Sequence, residues 1–193
     1  MKNEYLITFV RHAESILNSK GLFCGRIDCS ITKEGKEKCK KLKNVEPFTE
    51  EFDVIFSSPL KRTHQTLDLI LPGAKPIDDQ RLIVINYGDL EGTRMDDMSE
   101  ELQKAYKVGL ITPPNGENFH DVEKRFFSFL NDVDKFYSNT NKRILVVTHG
   151  SILRAIKHFR DKEIAQSSNN LDYHTYTQSD IKFFMKSYYE GCA

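Results

Sequence analysis

Short apolar runs alternate along this chain with stretches in which apolar residues return every third or fourth position. Tyr5 to Val10 (YLITFV) is an unbroken β-branched and aromatic run, which predicts a strand buried on both faces. Phe52 to Ser57 (FDVIFS) and Arg143 to Thr148 (RILVVT) have the same character, Leu82 to Ile85 is a further strand candidate, and Lys182 to Met185 a last one. Between them the spacing changes. A charged helix is predicted over 33–43 with Thr32 as its N-cap, and another runs to about Leu71 with Pro59 in its first turn. A helix is predicted from Met98 to Val108. From Glu117 to Tyr137 the apolar residues Phe119, Val122, Phe126, Phe129, Leu130, Val133 and Phe136 fall in steps of three and four, the mark of a long amphipathic helix. Ile152 to Phe159 is predicted as the helix after the Arg143 strand.

Strands alternating with helices imply βαβ units and a mostly parallel sheet covered on both faces. No repeat, low-complexity stretch or long linker interrupts the pattern, and 193 residues suit one core, so a single domain over 1–193 is expected. Charge sharpens the picture by being absent: 28 Lys and Arg balance 28 Asp and Glu, so no global field recruits nucleic acid or an anionic membrane. The Lys-rich stretch from Lys33 to Lys43 carries Glu34 and Glu37 and reads as a solvated helix face. The cysteines Cys24, Cys29, Cys39 and Cys192 form no CxxC pair, and no His or Cys cluster has zinc-ligand spacing. The N-terminus runs too soon into charge for a signal peptide, and no apolar run approaches the roughly 18 residues of a membrane span. A cytoplasmic chain with free thiols is the expectation. Neither cofactor nor metal is called for.

In parallel sheets, ligands bind outside the carboxyl ends of the strands. Here the first strand delivers Arg11 and His12, the second leads through Ser57-Ser58-Pro59-Leu60-Lys61 to Arg62, and the third delivers His149 and Gly150. Taken singly, each is an ordinary loop start or helix approach. If the strands are parallel neighbours, two guanidiniums and two imidazoles share one rim, and such a group calls for an anion. A phosphoryl group suits the fork geometry of arginine. Without a metal, two arginines and a second imidazole can neutralise its equatorial oxygens. His12 then serves as nucleophile, giving a phosphohistidine that water cleaves, with His149, expected protonated, stabilising transition-state charge. Gly150 lets a backbone N–H at the following helix approach a phosphate oxygen.

The motifs resemble the histidine phosphatase superfamily, in its phosphoglycerate mutase-like branch. Arg11-His12-Ala13-Glu14-Ser15 is similar to the arginine–histidine–glycine signature, with Ala13 in the glycine's place. Phe23 to Asp28 followed by Ile31 to Gly35, Ser57 to Thr63, Tyr87 to Gly92, Asn115 to Asn118 with Arg125, and Thr148 to Arg154 resemble the family's later segments in order. Beyond about residue 157 there is no match. The resemblance implies a three-layer α/β/α sandwich on a mostly parallel mixed sheet, with His12 as nucleophile and Arg11, Arg62 and His149 binding the phosphoryl group. It also implies phosphate-site roles for Asn18, Cys24 and Gly25, the thiol at Cys24 being more readily explained by packing. The compact length resembles the small phosphatases, such as α-ribazole phosphatase-like members, more than the mutases. The expected partner is a small phosphorylated substrate; mutase-type transfer is the alternative, and a homodimer is left open.

One departure stands out. Where the family's strand carries the glutamate proposed as general acid and base, Arg81-Leu82-Ile83-Val84 places valine. Losing a positioned acid costs alkyl phosphates about 10²–10⁴-fold, and aryl phosphates less. A phosphate-binding pseudoenzyme is therefore a third reading. Glu14, Asp28, Asp89, Glu91 and Glu117 are the carboxylates near enough in sequence to substitute, although structural roles are expected for Glu91 and Glu117. The segment 93–118 is expected to cover the pocket and set specificity.

Overall fold

The computed structural model describes residues 3–107, 111–161 and 168–191. Val108, the last residue of one predicted helix, and Cys192 lie outside the described residues. In chain order the elements are β1 (Leu6–Arg11), the single turn α1 (Ile16–Ser19), α2 (Lys33–Leu42), β2 (Val54–Ser57), α3 (Lys61–Ile70), β3 (Ile77–Asp78), α4 (Glu100–Lys107), α5 (Phe119–Tyr137), β4 (Arg143–Thr148), α6 (Gly150–Asp161), β5 (Tyr173–Thr177) and α7 (Gln178–Gly191).

The five strands lie in the order β3-β2-β4-β1-β5. β1, β4, β2 and β3 are parallel, and β5 is antiparallel to β1. Helices cover both faces, as the unbroken apolar strands require. On one face Ile7, Phe9, Ile144 and Val146 meet Val122, Phe126, Ile152, Ile156, Ile181 and Phe184 of α5, α6 and α7. On the other, Val10, Leu145 and Val147 meet Cys39 of α2 and Leu67 and Ile70 of α3. The successive residues Phe9 and Val10 therefore serve opposite layers, which is the period-two geometry of a strand.

Three local expectations are overturned. Leu82 to Ile85 is not a strand: Gln80–Leu82 forms a 3₁₀ turn, in which the Asp79 carboxylate accepts from the Arg81 N–H. The carbonyls there accept from side chains instead of a ladder: Arg81 O and Ile83 O from Arg125, Leu82 O from the Thr148 hydroxyl. Lys182 to Met185 lies inside α7, where Ile181, Phe184, Met185 and Tyr188 repeat at helical spacing, and the final strand is the alternating run Tyr173–Thr177 just before it. Pro59 sits before α3, whose N-cap is Leu60.

Candidate active site

The three strand ends are adjacent. Arg11 is opposite Thr148 in the β1–β4 register, and Ser57 is opposite Val147 in β2–β4. Beyond them the His12 N–H donates to Thr148 O at 2.9 Å and the Ser58 N–H to Val147 O at 3.0 Å, so the chain is still held in sheet-like register where the functional residues leave it. A cavity of about 280 Å³ opens at this rim, lined by Arg11, His12, Arg62 and His149 among other residues.

The imidazoles of His12 and His149 meet edge to face with centroids 5.0 Å apart. His12 Nδ1 lies 2.7 Å from Ala13 O. A carbonyl only accepts, so Nδ1 carries the proton and Nε2 keeps its lone pair. Burial first, then the Arg62 and Arg11 charges, hold the His12 imidazole well below the usual histidine range, so it is neutral. His149 is likewise depressed by burial, then by Arg62, so it is neutral and not the protonated group expected. Its Nε2 lies 2.7 Å from the Ser58 hydroxyl, while its buried Nδ1 has no protein partner.

Arg62 is 0% exposed, yet its acceptors are neutral: Nη1 donates to Ile27 O at 3.0 Å and Nη2 to Gly25 O at 2.7 Å. Arg11 Nη1 donates to Ser168 O, and burial lowers the Arg11 pKa. The Nε atoms of both arginines are buried with no partner among the described residues. Two guanidiniums are held by uncharged carbonyls, one of them in the first turn of α3 where the helix end is already positive, and neither makes an ion pair among the described residues, although the Asp172 charge acts on Arg11. An anion in the cavity supplies a counter-charge, and a tetrahedral dianion such as a phosphoryl group matches the donors present.

Asn18, Cys24, Gly25 and Gly150 also line the cavity. Asn18 Oδ1 accepts from the Ser15 N–H in the capping box of α1, which fixes the amide. Gly25 is required by its surroundings: its φ is +45°, and a Cβ there would stand 2.1 Å from the Glu91 carboxylate. At Gly150 a Cβ would press on the Arg11 guanidinium at 3.4 Å.

Val84 is a 7%-exposed part of the cavity wall beside Ile85, and none of the described lining residues is Asp or Glu. The sequence's alternative carboxylates are engaged elsewhere. Glu14 accepts from the Thr32 hydroxyl, Asp28 from the Lys61 N–H, Asp89 from Asn115, Glu91 from the N–H groups of Arg26 and Ile27, and Glu117 from Arg125. Of the expected covering segment, Val108, Gly109 and Leu110 lie outside the described residues. Apart from Met95 and residues 104–107, whose side chains are not described, the rest of the segment does not line the cavity; Phe119, just beyond it, does.

One contributor carried no sequence signal, and others lay in recognised segments without being singled out for the site. Asn170 Nδ2 donates to His12 O at 3.0 Å from a stretch without a recognisable motif. Ser58, read as part of a helix approach, positions His149. Phe23, Tyr87 and Arg154 join the wall, and only the completed fold brings them together.

The model of the histidine phosphatase superfamily (branch 1) matches residues 7–182. The chain belongs to this family. Among its relatives is phosphoserine phosphatase 1 of Hydrogenobacter thermophilus, 32% identical over 158 residues that make up 78% of this chain and 73% of the relative. Another is the 2,3-bisphosphoglycerate-dependent phosphoglycerate mutase of Bradyrhizobium diazoefficiens, 34% identical over 172 residues, 80% of each chain. The phosphoglycerate mutase structure from Thermus thermophilus superposes with a TM-score of 0.71 at 25% identity, covering 88% of this chain and 91% of that one. The fold is thus the phosphoglycerate mutase-like α/β fold, and this histidine phosphatase carries its four strand-end groups in one cavity.

Proposed function

We propose that this histidine phosphatase hydrolyses small phosphomonoesters through a phosphohistidine at His12. The observation that supports this most is the 2.7 Å contact of His12 Nδ1 with the Ala13 carbonyl. The Ala13 carbonyl holds the Nδ1 proton, and burial, then the neighbouring cations, keep the ring neutral, so Nε2 is a ready nucleophile. Arg11 and Arg62 bind the equatorial oxygens. Neutral His149, its Nε2 accepting from Ser58, donates its Nδ1–H; the Asn18 amide and the Gly150 N–H complete the cradle. Attack forms the Nε2–P bond and breaks the ester P–O bond; water then takes the phosphoryl group and regenerates His12. As charge builds on the phosphorylated ring, the Ala13 carbonyl stabilises it.

Incubation with a ³²P-labelled phosphomonoester and rapid denaturation tests this. Acid-labile label on His12 is expected, together with loss of label and of p-nitrophenyl phosphate hydrolysis in His12→Ala. Absence of both label and hydrolysis in the unaltered chain overturns the enzyme reading. The mutase relative supports a second reading, in which the phosphoryl group returns to another hydroxyl of the product. Phosphate release measured against isomer interconversion on phosphoglycerate separates the two; release is expected to dominate.

A further inference from the structure

Cys24 and Cys29 lie at the two ends of the loop that holds Arg62, with their sulfurs 3.2 Å apart. Cys24 is buried and lines the cavity, and Cys29 is half-buried. The loop is clamped from three sides. Arg62 donates to Gly25 O and Ile27 O, the Glu91 carboxylate accepts from the N–H groups of Arg26 and Ile27 at 2.7 and 3.1 Å, and Asp28 accepts from the Lys61 N–H at 2.7 Å. The buried cation proposed to grip the phosphoryl group is thus oriented by carbonyls from the segment between the two thiols. We propose that Cys24 and Cys29 are an oxidation site, in which hydrogen peroxide joins them as a disulfide and the bond shifts the loop that positions Arg62.

The thiols are unequal, as such a reaction needs. Burial raises the Cys29 thiol, but hydrogen bonds from Cys24 and Ser15 outweigh it and hold Cys29 below the ordinary range. Burial pushes Cys24 up to about 11. Cys29 is therefore the attacking thiolate. It takes one peroxide oxygen, breaking O–O and forming S–O to give a sulfenic acid and hydroxide. The Cys24 sulfur then attacks the Cys29 sulfur, forming S–S and breaking S–O; the leaving hydroxide and the thiol proton make water. Two thiols lose two electrons, and peroxide is reduced to two waters. The sulfurs must close by about 1 Å to reach bonding distance. Cys39, on the core face of α2, is fully buried and serves as an internal control.

Trypsin cuts after Lys20, Arg26 and Lys33, so peptides 21–26 and 27–33 stay joined only through this disulfide. After peroxide treatment of the folded protein the joined species is expected, separating on reduction, with Cys39 unmodified. Detecting the two peptides apart, with Cys29 over-oxidised alone or paired elsewhere, overturns the site. The second arm rests on the phosphatase reading. Oxidation is expected to lower kcat/KM about a hundredfold, the scale of a ~1 Å misplacement of a catalytic contact. Dithiothreitol should restore it, and Cys29→Ser should keep its activity throughout. Joined peptides with unchanged activity overturn the coupling to Arg62. If no activity exists before oxidation, the phosphatase reading fails by itself, and inorganic phosphate binding replaces kcat/KM: weaker binding by the oxidised form sustains the coupling and equal binding overturns it.

Discussion

Val84 stands at the position where the resemblance puts a proton donor, and its side chain packs into the larger apolar cluster while walling the cavity. A valine cannot itself protonate a departing alkoxide. Val84→Glu is expected to raise kcat/KM for alkyl phosphates by about 10²-fold and for p-nitrophenyl phosphate by much less, because a weakly basic leaving group gains little from protonation. A plot of log kcat/KM against leaving-group pKa should flatten in the variant; an unchanged slope would mean that another group already supplies the proton. Arg11, His12, Arg62 and His149 were legible from sequence because each follows a strand that announces itself. Ser58 and Asn170 were not. A serine before a helix and an asparagine in a loop are ordinary until a histidine ring or a carbonyl is placed against them.

Among the elements, α5 shows best how local sequence sets local structure. Its apolar stripe packs on the sheet, and its start is fixed by a capping box in which Asn118 accepts from the Asp121 N–H and Asp121 from the Asn118 N–H. Asn118→Ala should cost about 1 kcal/mol. In thermal denaturation that is a fall of about 2–4 °C for a domain of this size. A larger loss would show that the cap also holds Phe119 against the cavity. Elements with a strong period were readable in the sequence to within a few residues. The misread ones, Leu82 to Ile85 and Lys182 to Met185, are short apolar runs for which period two and period 3.6 look alike. Tertiary partners decided them: Arg125 and Thr148 took the first segment's carbonyls, and the core took one face of α7.

For the whole molecule, the balance of charge conceals a buried cationic cluster, and the cluster makes folding sensitive to acid. His12 and His149 are held neutral in the fold, well below the roughly 6.5 of an exposed histidine. Between the folded and unfolded values the unfolded chain binds more protons, so stability is full above about pH 6.5 and declines as pH falls below it. Urea unfolding at pH 7.5 and 5.5 should show this drop, and His149→Asn should reduce the difference between the two pH values. An equal difference would place the acid sensitivity elsewhere. Layer architecture was legible at this scale because parallel strands must be covered on both faces. The antiparallel placement of β5 was not, since nothing in Tyr173–Thr177 specifies a neighbour.

That edge strand has a consequence for how the protein comes into being. β5 pairs with β1 from Leu6 to Val10, and just past it Arg11 bonds through its N–H to Asp172 O and through its carbonyl to the Leu171 N–H. β4, on the other side of β1, takes the His12 N–H. The pocket's earliest residues therefore wait for its latest ones. A nascent chain carries His12 out of the ribosome more than a hundred residues before β4 and β5 exist to flank it. Until they arrive, a half-made copy has His12 but no cavity to hold it.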